Sequence, residues 1–322
     1  METLNLAMRK RTVFIVNPIS GIGRQKKIEK ILKDNLDHDL FEYRVCYTEH
    51  IHHGTELARD AAMKGAECVV AVGGDGSVND VVQGLRGSGV RIGIIPTGSG
   101  NGLARSLKLP LTPALAVRVL NQQHEQTIDS ISVNDDHVSV NAVGVGFDAY
   151  IARLMHAAKT RGLAAYTNLI LREYSSYKNQ DYTLTVDGRT LTRNAWLIAV
   201  ANSQQYGNNL TVAPKAKIDD GIINITILDR IPPDHLAITV PLAFTRLFDL
   251  SGHVEMLKGR EVVIEGNRDK WVNIDGEGEN IGQTVRLKVL PSSVPIYSRD
   301  RGTPLKQLEP SLELIKSNIG IK

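Results

Sequence analysis

The chain has 322 residues, enough for about two domains that each bury a core of their own. Apolar residues make up 42% and charged residues 23%, which excludes a disordered chain, and a formal net charge of +3 is too weakly basic for nucleic acid to be the main partner. Cys46 and Cys68 form neither a disulfide framework nor a metal-ligand spacing and fit a reducing cytoplasm, and no stretch approaches the roughly 18 uninterrupted apolar residues of a transmembrane segment. The apolar run behind Arg9-Lys10-Arg11 stops at Asn17-Pro18, too short for a signal peptide.

Residues 12–16 read as a buried strand, closed by the small and turn-forming residues Asn17-Pro18-Ile19-Ser20-Gly21-Ile22-Gly23. Helical spacing resumes at Ile28, Ile31, Leu32 and Leu36. Residues 41–48 alternate as a strand with Phe41, Tyr43, Val45 and Tyr47 on one face, and residues 55–64 read as a helix. The run Val69-Val70-Ala71-Val72 then ends in Gly73-Gly74-Asp75-Gly76-Ser77, after which Val78, Val81, Val82 and Leu85 recur at helical spacing. Residues 91–96 form a fourth short strand, followed by Thr97-Gly98-Ser99-Gly100-Asn101-Gly102 and a helix over residues 103–107.

Strands alternating with helices predict a mostly parallel sheet wrapped by helices, with ligands bound at the carboxyl ends of the strands. The three glycine-containing loops would then line one crevice. Glycines let backbone N–H groups approach a ligand, and the helix start behind each loop favours an anion, so phosphate is the natural guest. The Gly-Lys-Ser/Thr of a P-loop is missing, as is a Gly-x-Gly-x-x-Gly after the first strand, which argues against a P-loop NTPase or a Rossmann dehydrogenase.

From about residue 127 the texture changes. Residues 127–133 and 137–143 alternate at period two around Asp135-Asp136, and Asp187-Gly188 divides 182–186 from 190–201 as a hairpin. Residues 222–228, 261–265, 271–274 and 285–290 continue a mainly antiparallel pattern, interrupted by helical spacing at 151–177 and 233–250. The apolar stretch 241–248 is by default a buried helix, with contact to a bilayer as the alternative. His50, His52 and His53 lack an identifiable fourth metal ligand and read as a solvated loop, and Trp196 and Trp271 as core. Asp275-Gly276-Glu277 follows a strand, where a carboxylate can take the proton of a hydroxyl nucleophile; Asp-Gly is equally a common turn.

The run Gly73 to Leu85, followed by Pro96-Thr97-Gly98-Ser99-Gly100-Asn101-Gly102-Leu103-Ala104-Arg105, resembles the diacylglycerol kinase catalytic domain, the superfamily of bacterial soluble lipid kinases, diacylglycerol kinases, sphingosine kinases and ceramide kinase. The resemblance continues through Asn17-Pro18 with Ser20-Gly21, Gly144-Val145-Gly146-Phe147-Asp148, Ala213-Pro214 with Asp219-Asp220-Gly221, and Asp275-Gly276-Glu277. It implies ATP-dependent phosphorylation of a lipid hydroxyl with Mg²⁺. It also implies a doubly wound α/β (NAD kinase/phosphofructokinase-like) nucleotide domain over residues 1–130, with about 300–322 packing back on it, and a β-sandwich-like acceptor domain over 131–299.

The resemblance places the nucleotide on Asn17, Pro18, Ser20 and Gly21, on Gly73, Gly74, Gly76, Ser77, Asn79 and Asp80, and on Thr48, Gly98, Ser99 and Asn101. Asp75 would help organise Mg²⁺, directly or through water, and hard cations prefer such oxygens. The catalytic base falls in Asp275-Gly276-Glu277, and the residues do not decide between Asp275 and Glu277. A second Mg²⁺ site is implied at the Asp220 side chain with the backbone carbonyls of Lys217 and Ile222, and an Asp-Gly turn is the alternative there too. Asp148 corresponds to an acceptor-side carboxylate, or caps the helix starting near 149. The implied setting is a cytoplasmic enzyme meeting its lipid transiently at the membrane surface, with the oligomeric state open, a homodimer included. Where many bacterial relatives carry Asp, this chain has Gly102, closer to sphingosine kinases, which leaves the acceptor lipid open. Competing functions are NAD kinase, which shares Gly-Gly-Asp-Gly, and a non-catalytic nucleotide- or lipid-binding regulator.

Overall fold

The computed structural model describes residues 9–20, 27–158, 163–245 and 247–300. Gly21 and the segment beyond 300, expected to pack back on the first domain, lie outside them.

The first domain alternates β1 (Lys10–Val16), α1 (Ile28–Asn35), β2 (Phe41–Tyr47), α2 (His53–Met63), β3 (Cys68–Gly73), α3 (Asp75–Gly84), β4 (Arg91–Pro96), α4 (Gly102–Ser106) and α5 (Pro113–Asn121). The strands pair in parallel in the order β2-β1-β3-β4. Side chains alternate across a strand, so each strand here feeds two cores. Val13, Ile15, Val69, Ala71, Ile92 and Ile94 pack against Ala58 and Ala61 of α2 and Val78, Val81 and Val82 of α3. On the other face Phe14, Val16, Val70, Val72 and Ile95 meet Ile28 and Leu32 of α1 and Ala116, Val117 and Leu120 of α5. The sheet is wound on both sides, as the strand and helix alternation predicts.

The second half contains β5 (Glu125–Val133), β6 (His137–Ser139), β7 (Ala142–Gly146), α6 (Phe147–Ala158), α7 (Leu163–Glu173), β8 (Gln180–Val186), β9 (Arg189–Ala195), β10 (Leu197–Ala201), β11 (Gln205–Gly207) and β12 (Leu210–Thr211). It continues with β13 (Ile223–Leu228), α8 (Leu236–Ala243), β14 (Val254–Gly259), β15 (Glu261–Glu265), β16 (Trp271–Ile274), β17 (Glu277–Asn280) and β18 (Thr284–Tyr297). An antiparallel sheet in the order β14-β13-β10-β7-β16-β17 faces β5, β8, β15 and β18. Val143, Val145, Ile198, Val200, Ile225 and Val272 of one layer share a dry core with Ile131, Leu184, Val262, Ile264 and Leu287 of the other. This is a sandwich of two sheets closed by alternating apolar residues.

Two expected strands are cut, for different reasons. The run 137–143 breaks between β6 and β7 because the N–H groups of Val140, Asn141 and Ala142 donate to Asp275 rather than to a neighbouring strand. The run 190–201 breaks at Trp196, where the chain passes from the β8 edge of one sheet into the middle of the other.

β18 joins the two halves. Its first part pairs with β15, its length with β5, and Ile296 lies beside Ile92 of β4, so one ten-stranded sheet runs through both domains. The register shifts between Leu290 and Val294, a bulge that buried Asp129 pins by accepting the Ser292 N–H at 2.7 Å.

Candidate active site

Residues 17–20 of the first loop and the other two glycine-containing loops meet at the carboxyl ends of β1, β3 and β4. The N–H groups of Thr97 and Gly98 donate to Gly73 O at 2.9 and 3.3 Å, and Asn17 N–H to Val72 O at 3.1 Å. Ser20 Oγ and Thr97 Oγ1 are 2.9 Å apart, and Asn17 Nδ2 reaches Ser77 Oγ at 3.4 Å. A side chain on Gly98 would fall on the backbone of Gly74, so the second and third loops touch only because both are glycine there. Thr48 is held at the end of β2 by its N–H to Val16 O, 2.9 Å, and Ser99 is exposed on the third loop. No side chain caps the start of α3, whose first-turn N–H groups form a ready anion site.

Asp75 opens α3, and its Oδ1 accepts the Gly102 N–H at 2.6 Å at the start of α4, just after Asn101 turns the chain in the left-handed region (φ 51°). Burial raises the Asp75 carboxyl from 3.8 to about 6, and the charge of Asp275 adds to the rise; the backbone amides of Gly102, Leu103 and Asn101 oppose it.

The two carboxylates of Asp275-Gly276-Glu277 differ sharply. Asp275, 5% exposed, accepts five hydrogen bonds: from Asn79 Nδ2 (2.9 Å), Ser139 Oγ (2.6 Å) and the N–H groups of Val140, Asn141 and Ala142 (2.9, 3.0 and 3.0 Å). A carboxylate offers about four lone-pair sites, so this one is saturated. Glu277 is exposed at the start of β17, and its Oε1 lies 2.7 Å from where a Cβ on Gly76 would stand. Glu277 therefore reaches the glycine loop of the first domain while Asp275 ties the chain beneath it.

Asp148, at the start of α6, is buried. It accepts Tyr166 Oη at 2.9 Å and Asn273 Nδ2 at 2.8 Å, and burial raises its carboxyl above the usual range. The Tyr206 hydroxyl belongs to the same cluster: a Cβ on Gly144 would overlap Asp148 Oδ2 and stand 3.0 Å from Tyr206 Oη. The backbone of Tyr206 also explains Gly102. A Cβ there would lie 2.6 Å from Asn141 Nδ2 and 2.8 Å from Tyr206 O, because the β11–β12 hairpin of the second domain rests on the third loop, with Asn208 N–H donating to Gly100 O.

Other residues expected on the nucleotide face elsewhere. Asn79 donates to Val138 O (2.7 Å) as well as to Asp275, which makes it a tie between the domains. Asp80 accepts from Thr55 Oγ1 (3.4 Å) and lies 3.3 Å from His52 Nδ1, whose ring also approaches Glu279 at 3.7 Å. The hydrogen bond with Asp80 raises the His52 pKa. Gln83, which lies in the Gly73 to Leu85 run but is given no role there, spans the same boundary by donating to Asp136 O and accepting the Val138 N–H. Lys217 and Asp220 are exposed on a loop held from below by Asp129, which accepts the Gly221 N–H at 2.6 Å, and Asp220 Oδ1 accepts the Ile222 N–H at 3.2 Å. His50, His53 and Glu56 come within 4.8 Å of one another, but His53 Nδ1 accepts the Glu49 N–H. Neutral His53 then carries its proton on Nε2 and has no second lone pair for a metal.

A glycine-lined anion crevice facing carboxylates from a second domain is the arrangement of a phosphoryl-transfer enzyme. Residues 11–133 match the diacylglycerol kinase catalytic domain, and residues 141–298 match the YegS C-terminal NAD kinase beta sandwich-like domain. The chain is 27% identical over 274 residues to a diacylglycerol kinase of Mycobacterium tuberculosis, covering 83% of this chain and 85% of that one. It is 31% identical over 230 residues to a protein of Chromohalobacter salexigens named as a YegS-like lipid kinase, covering 70% and 74%. The crystal structure of a diacylglycerol kinase from Bacillus anthracis has the same fold, with a TM-score of 0.73 at 20% identity over 91% of this chain and 99% of that one. The chain belongs to the diacylglycerol kinase catalytic-domain family of lipid kinases. It is an ATP-dependent lipid kinase, a phosphotransferase with an alcohol group as acceptor. Among the described residues no helix is long and apolar enough to cross a membrane.

Proposed function

We propose that this enzyme transfers the γ-phosphoryl group of ATP to the free hydroxyl of diacylglycerol or a closely related lipid alcohol, and that it does so at the membrane surface. The observation that carries the reading is the approach of Glu277 to Gly76, which brings an exposed carboxylate from the acceptor domain against the phosphate loop.

In this reading the amides at the start of α3 and the Gly73–Gly76 and Gly98–Ser99 backbones hold the polyphosphate, with Asn17, Ser20, Ser77 and Thr97 supporting the cradle. Glu277 takes the proton of the lipid hydroxyl as its oxygen bonds to the γ-phosphorus; the bond from that phosphorus to the bridging oxygen breaks, and ADP leaves. Asp275 is a positioning residue that fixes the turn carrying Glu277. Asp148, with Tyr166 and Asn273, orients the acceptor. The donors suit Mg²⁺: Asp75, whose Oδ1 accepts from Gly102, carries a second oxygen beside Gly100 of the third loop, and Asp220 with the carbonyls of Lys217 and Ile222 offers a second all-oxygen set. Bound Mg²⁺ supplies charge neutralisation for the phosphates.

The test is radiolabelled ATP with Mg²⁺ and separate micelles of dioleoylglycerol and sphingosine, plus a third reaction with NAD. Label in the product of dioleoylglycerol supports the proposal, and label only in sphingosine or only in NADP overturns its acceptor.

A further inference from the structure

The helical layer over the acceptor carboxylate ends in an apolar surface that no other described residue covers. Five of the ten large apolar side chains exposed among the described residues fall between positions 238 and 250: Ile238 (70% exposed), Val240, Phe244, Leu247 and Leu250 (71%). α8 buries only Thr239 and Ala243, and residues 235–248 contain no carboxylate. A helix apolar on all sides is ordinarily buried in protein or in lipid, and this one is covered on one side alone. That covered side belongs to the cluster of Phe147, Ile151, Trp196, Leu228 and Phe248, with Tyr166 packed against it. Phe147 and Tyr166 adjoin and bond Asp148, so the apolar surface is continuous through packed side chains with the acceptor site.

Beside this surface lies a cleft of about 330 Å³ between the turn at Phe248–Leu250 and the β13–β14 pair. Its wall is built to receive an anion. Asn224 and Lys258 stand opposite each other across that pair, and Lys215 lines the third side. Asn224 is 7% exposed, and its Nδ2 has no partner, a buried donor that costs free energy until an acceptor fills the place. Asp249, the cleft's one carboxylate, is neutralised by Lys215 at 2.7 Å.

We infer that α8 and the turn after it are the membrane-docking face of the enzyme, with its apolar side chains in the acyl boundary and the phosphate of an anionic phospholipid in the Lys215–Asn224–Lys258 cleft. The inference rests on the lipid kinase reading only for the direction in which the acceptor arrives. Apolar side chains at the headgroup level give the binding energy, and Lys258 with the Asn224 amide gives the preference for anionic lipid, Lys215 being paired with Asp249.

The experiment is sedimentation of the full-length protein with phosphatidylcholine vesicles, with and without phosphatidylglycerol. The variant Phe244→Ser/Leu247→Ser/Leu250→Ser should bind both kinds of vesicle at least about tenfold more weakly, and Lys258→Gln should lose about fivefold on the anionic vesicles alone. Phe244→Trp, which keeps the bulk, should show indole quenching by brominated lipid beyond that of the wild type. Unchanged binding of the triple variant, or no added quenching of Phe244→Trp, overturns the inference. So does a wild-type dimer that becomes a monomer in the triple variant with vesicle binding intact, which would make this face a contact between copies. Turnover of a monomeric short-chain diacylglycerol is measured alongside: its absence in the wild type counts against the kinase reading and leaves the vesicle result standing.

Discussion

Glu277 Oε1 lies 2.7 Å from the position of a Cβ on Gly76, so this residue of the glycine loop must lack a side chain for the carboxylate to stand there. Among the described residues the three nearest atoms that a Cβ on Gly76 would meet all belong to the Glu277 side chain, whose flexible end can give way. Gly76→Ala should therefore displace the carboxylate with little loss of fold. The expected result is a fall in kcat of about a hundredfold with a stability change under about 1 kcal/mol, read from steady-state kinetics and thermal unfolding of the same preparation.

Asp275 should behave in the opposite way. In Asp275→Asn one oxygen becomes an NH₂ donor: with the amide oxygen kept on Ser139, Asn141 and Ala142, the Val140 N–H and Asn79 Nδ2 that bond Oδ2 would face a donor. The backbone at 275 is left-handed (φ 51°), which asparagine accepts as well as aspartate, so the substitution acts through the carboxylate and not through the turn. A loss of about 2–4 kcal/mol in unfolding free energy is expected from urea titration.

The raised carboxyl of Asp75 predicts a pH signature. The folded state holds this proton more tightly than the unfolded chain, so between 3.8 and about 6 the folded state binds more protons, and stability falls as pH rises through that window. The contribution is present below 3.8 and lost above about 6. The stability difference between the wild type and Asp75→Asn, followed by denaturant titration from pH 4 to pH 8, should decline up to about pH 6 and then level off. Asp275→Asn should move that break to lower pH, because the Asp275 charge is the second cause of the rise.

Packing against the second domain requires glycine at position 102. A Cβ there meets Tyr206 O at 2.8 Å, a backbone atom of the β11–β12 hairpin that cannot swing aside. Gly102→Ala should cost roughly 1–3 kcal/mol in thermal or chemical unfolding, and Gly102→Asp at least as much.

Much of this site was legible in the residues because it is local. Runs such as 69–72 followed by glycines specify strand, loop and helix within a dozen positions, and the parallel sheet then brings the loops to one edge. The parts that stayed hidden depend on contacts far apart in the chain. Nothing near Asp275 announces that its oxygens gather the amides of 140–142, so the Asp-Gly-Glu motif alone left two bases open. Tyr166, Tyr206 and Asn273 carry no local signal, Gln83 has no role marked within its run, and all four are defined by what they touch. The alternation of this strand is followed only over 285–290; Asp129 holds the residues after it as a bulge, and the strand runs on to bind the domains together. α5 went unmarked, although Thr112-Pro113 is a recognisable helix start.

The most direct test of the account is the pair of ATP affinity and lipid-dependent phosphoryl transfer for Glu277→Gln, measured on the full-length enzyme with labelled ATP and dioleoylglycerol. If Glu277 takes the proton of the acceptor, ATP should bind within about threefold of the wild type while transfer falls by about a hundredfold or more. Transfer at the wild-type rate in Glu277→Gln would contradict it.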